Sequence, residues 1–302
     1  MTKTVLILGA SGKIGRYSAA AFRDAGWQVR LYDRSTGDIT GAARGVDVII
    51  NGFSPPAYHD WARLVPALTA RIIAAAQASG ALVIVPGNVY NFGATPGTWS
   101  ENTPQNATTR KGRIRIAMEQ AFRDAGVRTI VLRAGNFIVP DRLEDVMSLV
   151  YLRSISKMKF MLPGDPEAQQ AFCYVPDWAR AAVMLAEMGD RLQVFEDIPF
   201  AGHAFSANQL RSALQDILKR PLKTVKFPWM IFRLASPFWE LAREMMEMRY
   251  LWSTPHRLSG EKFNRLLPDF DATPLTKVIA GTLPADIHPD QPVPADIRVA
   301  PV

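Results

Sequence analysis

Cysteine is nearly absent: Cys173 is the only one in 302 residues. A single thiol excludes an intramolecular disulfide and any multi-thiolate metal centre. It stands in Ala171-Phe172-Cys173-Tyr174-Val175, an apolar setting in which a free cysteine serves as a small buried hydrophobe. Uninterrupted apolar runs of about 18 residues are also missing, so no membrane span is expected. Met1 to Leu8 is a short polar start followed by an apolar strand, without the pattern of a cleaved secretion signal. A cytoplasmic, reducing location is the expectation. No His/Asp/Glu group has metal-ligand spacing, so no metal site is expected, and no Gly-x-Ser-x-Gly nucleophile elbow occurs. The formal charge is +7, yet Lys and Arg are scattered rather than striped among stacking aromatics, which argues against nucleic acid. The excess suits a small, anionic substrate or cofactor, and equally describes an ordinary solvated surface.

What the chain does have is alternation. Thr4-Val5-Leu6-Ile7-Leu8 is a β-branched and aliphatic run ending in glycines, and Ile14 to Ala25 has helical composition closed by Gly26. Trp27–Tyr32, Val46–Ile50, Ala81–Val85 and Thr129–Leu132 read as strands. Trp61–Ser79 and Ile114–Ala125 read as helices, stopped by Gly80 and Gly126. This order predicts an α/β, doubly wound parallel sheet of Rossmann type, with ligands bound at the carboxyl ends of the strands. Only Arg34 to Gly45 separates the second strand from the one starting at Val46. A crossover with its helix needs about 10–12 residues by itself, so the usual third strand is expected to be missing and the second strand to lie at or near an edge. The expected organisation is a dinucleotide-binding core over 1–140 and a smaller C-terminal α+β substrate lobe over 141–285. Segments such as 171–190 return to the core, and 286–302 form a proline-rich tail.

The chemistry-bearing motif is Gly9-Ala10-Ser11-Gly12-Lys13-Ile14-Gly15, which follows a strand and opens a helix. Its first glycine permits a tight turn, its second the approach of a pyrophosphate, and its third close helix–strand packing. Amides at the helix start then face the diphosphate, aided by the helix dipole. Asp33, at the end of the next strand, is placed to accept hydrogen bonds from the adenine ribose, which points to NAD. Arg34 and Lys13 leave NADP open. Asp38 and Ile39 are candidates for the adenine side or for a simple turn. Asn51, Gly52 and Phe53, ending the third strand, and Pro86, ending the fourth, complete the expected cofactor lining.

The spacing Gly-x-x-Gly-x-x-Gly resembles the short-chain dehydrogenase/reductase superfamily. Val89-Tyr90-Asn91-Phe92-Gly93, Glu101-Asn102-Thr103-Pro104, Arg133-Ala134-Gly135-Asn136-Phe137 and Tyr174-Val175-Pro176-Asp177 are similar to segments of its extended branch. That branch comprises the NAD-dependent epimerase/dehydratases of nucleotide sugars. The resemblance covers residues 3–190 and continues more loosely to about 280. It implies an oxidoreductase, epimerase or dehydratase acting on a sugar-nucleotide-like or other carbonyl or carbinol substrate. By the same resemblance Ala134, Asn136 and Phe137 lie beside the nicotinamide, and Asn136 meets the substrate.

One departure stands against this. The superfamily moves protons with Tyr-x-x-x-Lys and an acid four residues further on. Anchored on Glu119, the tyrosine position holds Lys111 and the lysine position Arg115, while the serine position falls at Pro86-Gly87-Asn88. Arg115 is still able to hold the nicotinamide ribose, but it is too basic for proton transfer. Lys111, its pKa lowered beside Arg115 and an oxidised nicotinamide, is a candidate acid or base, and otherwise a solvated charge at a helix start or a phosphate-holding group. Asn88 and Tyr90 are candidates for orienting a carbonyl. His256 and Arg257 are candidate substrate contacts, with a structural hydrogen bond as the alternative for the histidine. The segment Phe227–Met248 reads as helical core, a pocket wall, a subunit contact in a homodimer, or a membrane-surface element. Two functions therefore stay open: an enzyme with a non-standard catalytic set, and a catalytically inactive dinucleotide-binding sensor or assembly module.

Overall fold

The structure is a computed structural model and describes residues 2–140, 145–284 and 287. The first half runs β1 (Thr4–Leu8), α1 (Lys13–Asp24), β2 (Gln28–Leu31), α2 (Ile39–Ala42), β3 (Val48–Asn51), α3 (Trp61–Ser79) and β4 (Leu82–Gly87). β5 (Gly97–Trp99), α4 (Arg110–Asp124) and β6 (Thr129–Arg133) follow. The second half runs β7 (Asn136–Ile138), β8 (Lys159–Leu162), β9 (Gln170–Tyr174), α5 (Val175–Met188), β10 (Phe195–Pro199) and β11 (His203–Phe205). It ends with α6 (Ala207–Leu218), β12 (Lys223–Lys226), α7 (Trp229–Ala235), α8 (Glu240–Glu247), β13 (His256–Leu258), α9 (Glu261–Leu266) and α10 (Leu275–Ala280).

The main sheet has the order β10-β6-β4-β3-β1-β2, with every pairing parallel. β2 is its edge, as the short Arg34–Gly45 connection requires. That connection holds only a 3₁₀ turn and the four-residue α2. Side chains of β1 alternate between two cores, because successive residues of a strand point to opposite faces. Val5 and Ile7 join Ile14, Phe22, Trp178 and Leu185 under α1 and α5. Leu6 and Leu8 join Val65, Ile72, Met118 and Phe122 under α3 and α4. Burial on both sides explains why β1 reads as a continuous apolar run.

The remaining strands form small sheets: β11-β9-β7, β12-β8 and β13-β5. A third core of Tyr151, Phe160, Phe172, Phe205, Leu210 and Leu214 holds this lobe together, with the Phe172 and Phe205 rings stacked at 4.1 Å. Gly135 lets β9 approach, because a Cβ there would sit 2.2 Å from the Ala171 carbonyl oxygen. Through α5 and β10, residues 175–199 return to the main sheet, so chain order and core membership part company in the second half. Cys173 is fully buried and free. Apart from Ile287, which is buried, the stretch 286–302 lies outside the described residues. Among the described residues, no helix is long and apolar enough to cross a membrane.

Candidate active site

β1 and β3 are neighbours whose connections leave in opposite directions, so the crevice at their carboxyl ends is the switch point at which such sheets bind ligands. The glycine run lies there. Gly9 has a φ of +73° and supports the turn. A Cβ on Gly15 would sit 2.2 Å from the Gly9 carbonyl oxygen, and one on Gly9 would sit 2.7 Å from that of Gly52. Gly12 caps α1 with backbone alone, since no side chain caps the helix and no acid stands in its first turn. The first-turn amides and the positive dipole end are therefore open to an anion. Ser11 is exposed and Lys13 half-buried beside them, whereas the Ile14 side chain is buried in the core under α1 and α5.

Asp33 follows β2 and is exposed. Its Oδ1 accepts from the Ser35 amide at 2.8 Å, which holds the carboxyl below the usual carboxylate range. Arg34 lies over the Phe53 ring at 4.9 Å, and Phe53 meets Tyr32 edge-on at 5.9 Å. The adenine-side candidates Asp38 and Ile39 lie at the start of the short α2. Asp38 accepts from the Gly41 amide at 2.7 Å and caps α2, and Ile39 is 2% exposed in the core. The Asp38 carboxylate serves the turn and the Ile39 side chain the core.

A pocket beyond β3 and β4 is lined by Asn51, Phe53, Trp61, Val85, Pro86 and Arg115, among others. Arg115 donates to the Pro86 carbonyl, while its buried Nε has no partner. Burial lowers the pKa of this guanidinium. Nearby, the Tyr90 hydroxyl meets that of Tyr58 at 3.1 Å. Burial pushes the Tyr90 phenol well up, with Arg115 pulling the other way. Asn88 accepts from the Tyr90 amide at 3.0 Å and so shapes that turn.

Lys111 is a buried ion-pair partner rather than a solvated charge. It is fully buried, and its Nζ is held by the carboxylates of Glu244 and Glu247 and by the Glu244 carbonyl. Of the three N–H donors of an ammonium, hydrogen bonds run to the Glu247 carboxylate and the Glu244 carbonyl, and the Glu244 carboxylate adds a close ion pair. Its ammonium also lies 5.1 Å from the centre of the Tyr58 ring. The reason is α8, which presents Glu240, Glu244 and Glu247 along one helical face. Glu247 accepts from the Lys111 amide at 2.8 Å, Glu244 from Arg110 at 2.9 Å, and Glu240 meets His59 at 2.7 Å. Burial works against the Glu247 charge, but Lys111 prevails and keeps that carboxyl low. Sequence reasoning missed Glu244 and Glu247: they lie 133 and 136 positions from Lys111, and no motif links them.

Arg133 is a second lock. It is fully buried between Glu119 and Asp197, at 2.7 and 2.6 Å, and donates to the Asn88 carbonyl at 2.7 Å. Downstream, Ala134 is fully buried, while Asn136 and Phe137 on β7 are half-buried.

His256 is a core residue, not a substrate contact. It is 3% exposed, stacks on Trp99 at 4.6 Å, and shares a 2.8 Å hydrogen bond with the Thr254 carbonyl through Nδ1. Arg257 is exposed and donates to the Thr98 hydroxyl at 2.8 Å. Burial pushes the His256 imidazole down to about 4, against the pull of the Thr254 bond. A depressed folded pKa means that the fold holds the neutral ring. This contribution is complete above the free-imidazole pKa of about 6.5 and is lost as pH falls towards about 4, by up to about 3 kcal/mol. Urea unfolding at pH 7 and pH 4.5 checks it. The wild type should lose about 2 kcal/mol more than His256→Phe, which retains the stack. Equal losses would clear His256.

A family model described as "NAD dependent epimerase/dehydratase family" matches residues 5–198. The chain belongs to this family. A search of curated proteins gives no significant sequence match. Among solved structures, the fold is similar to UDP-glucuronic acid 4-epimerase from Bacillus cereus in complex with UDP-glucuronic acid and NAD. That match has 14% identity and a TM-score of 0.72, and covers 92% of this chain and 97% of that one. MoeE5 in complex with UDP-glucose and NAD gives 16% identity and a TM-score of 0.70, covering 93% and 97%. A nucleoside-diphosphate-sugar epimerase from Pseudomonas aeruginosa gives 17% and 0.67, covering 92% and 95%. Family and fold agree with the resemblance carried by the glycine run.

Proposed function

We propose that this chain binds NAD in the Gly9–Gly15 cradle and acts on a nucleoside-diphosphate sugar by oxidoreduction at a carbinol carbon. The observation that carries the reading is the uncapped start of α1 within a turn where Gly9 and Gly15 leave no room for a Cβ, beside the exposed, ionised Asp33. An anion-ready helix start and a ribose acceptor at the end of the neighbouring strand match the two ends of an adenosine diphosphate. Asp33 would repel a 2′-phosphate, and Arg34 is turned onto Phe53, so NAD is favoured over NADP.

NAD supplies a hydride acceptor and donor when bound. The protein's part is to hold and to move protons. The unpartnered Nε of Arg115 gives the nicotinamide end a charged donor. With Lys111 engaged, the proton at a reacting hydroxyl or carbonyl falls to the Tyr90 Oη, with Tyr58 as its hydrogen-bonded neighbour. Burial keeps this phenol protonated, so it serves as an acid more readily than as a base. Asn136, half-buried on β7, is assigned to the substrate. The engagement of Lys111 also favours a second reading, a chain that keeps its dinucleotide without turnover.

Titration with NAD and NADP, followed by assays with UDP-glucose and UDP-glucuronic acid, separates the two readings. Asp33→Ala should weaken NAD by about tenfold or more, as expected for the loss of charge-assisted hydrogen bonds. Tyr90→Phe should lower kcat by about a hundredfold with NAD affinity intact. NAD affinity without turnover would support the second reading, and absence of any dinucleotide affinity would overturn both.

A further inference from the structure

Five large apolar side chains lie together on the outside of the α7–α8 corner. Met230, Ile231, Leu234, Phe238 and Trp239 are 62%, 63%, 72%, 94% and 46% exposed. Helical periodicity explains their grouping, since successive residues turn by about 100°. Trp229, Phe232 and Ala235 face the cluster formed with Val150, Met161 and Phe227, leaving Met230, Ile231 and Leu234 on the opposite side. Past Pro237, Phe238 is almost wholly exposed, and the Trp239 ring stacks on Phe232 of the covered side at 5.7 Å while leaving nearly half of its residue surface open. Isolated exposed hydrophobes need no explanation, but a contiguous group marks a contact surface.

Charge selects the partner. From residue 219 to residue 239 the chain carries Lys219, Arg220, Lys223, Lys226 and Arg233 and no acidic residue. All five are exposed. A second copy of the chain would bring one such cationic, apolar segment against another. A surface with an apolar interior and anionic groups at its boundary complements both features at once. Tryptophan and phenylalanine beside a basic segment are the side chains that settle at such a boundary. We propose that the α7–α8 corner docks on an anionic phospholipid surface, with Phe238 and Leu234 entering the acyl boundary and the basic segment meeting the headgroups. Docking there places the bilayer against α8, whose inner face holds Lys111 beside the candidate active site. The protein would thereby work at a membrane surface without spanning it.

Vesicle co-sedimentation of the full chain tests this, using phosphatidylcholine vesicles with or without about 30% phosphatidylglycerol. The wild type should bind the anionic vesicles at least about tenfold more tightly than the neutral ones, and lose most of that binding between about 0.1 M and about 0.5 M NaCl. Leu234→Asp/Phe238→Asp should abolish binding, and Lys223→Gln/Lys226→Gln should weaken it severalfold. Thermal unfolding should leave both variants folded, because every substituted side chain is exposed. Equal binding to both vesicle types, or anionic binding untouched by Leu234→Asp/Phe238→Asp, would overturn the proposal. So would no vesicle binding together with a dimer, seen by sedimentation equilibrium, that this double variant splits.

Discussion

Arg133→Met should remove about 3–5 kcal/mol of folding stability, the cost of leaving a buried ion network without its central charge. Domains of this kind are stable by roughly 5–15 kcal/mol, so the variant should be marginal. The guanidinium touches three separate parts of the fold. Glu119 comes from α4, Asp197 from β10, and the Asn88 carbonyl from the turn that carries Tyr90. Burial opposes the Arg133 charge, but the two carboxylates outweigh it and raise its pKa above the ordinary value. Without Arg133, Glu119 would keep only the amide donors of Asn91 and Gln105. Burial already raises the Asp197 carboxyl despite Arg133, and removing the guanidinium would raise it further. Urea unfolding at pH 7 measures the loss. Adding Glu119→Gln and Asp197→Asn to Arg133→Met should restore a substantial part of it, because neutral amides leave no charge stranded. A loss below about 1 kcal/mol would place Arg133 among ordinary surface pairs and contradict the network.

Lys111→Met should cost a similar amount, about 3–5 kcal/mol, and should act on α8. Glu244 is 1% exposed, and without Lys111 it would keep only the cations of Arg110 and Arg243. Glu247 would lose its short partner but retain the α4 amide. The expected result is a lowered unfolding midpoint and faster proteolysis between residues 236 and 248, with NAD affinity little changed. Lys111→Met/Glu244→Gln should recover part of the loss. A proton-transfer role predicts the opposite pattern: unchanged stability and abolished turnover. Turnover retained by the folded Lys111→Met/Glu244→Gln would make the residue at the tyrosine position positional, and turnover abolished in it would make that residue chemical.

Legibility differed sharply among the candidate residues. The boundaries of α3 and its Gly80 stop were readable because helix ends are written in local backbone preferences; Gly80 indeed adopts φ +72°. The edge position of β2 followed from chain length alone. Asp38 and Ile39 were ambiguous, since four residues of turn and four residues of ligand wall share one composition. His256 was ambiguous for a different reason: its neighbour Trp99 arrives from β5, far away in sequence. The 227–248 segment carried the widest set of readings. Its hydrophobic content was plain, but the sequence did not show which half would be covered.

The sequence by itself determined the parallel sheet, the loss of one strand, the glycine cradle and the acid after β2. Those features depend on local backbone geometry, strand-to-strand chain length and the two-faced burial of β1. Tertiary structure alone decided that Lys111 is held by α8, that Arg133 ties α4 to β10, and that one side of α7 remains apolar and exposed. These depend on which distant segments meet. A charge acquires its role from the partner that packing delivers, and neither the 14 and 64 residues between Arg133 and its acids nor the 133 and 136 between Lys111 and its own leave a period, cap or spacing to read.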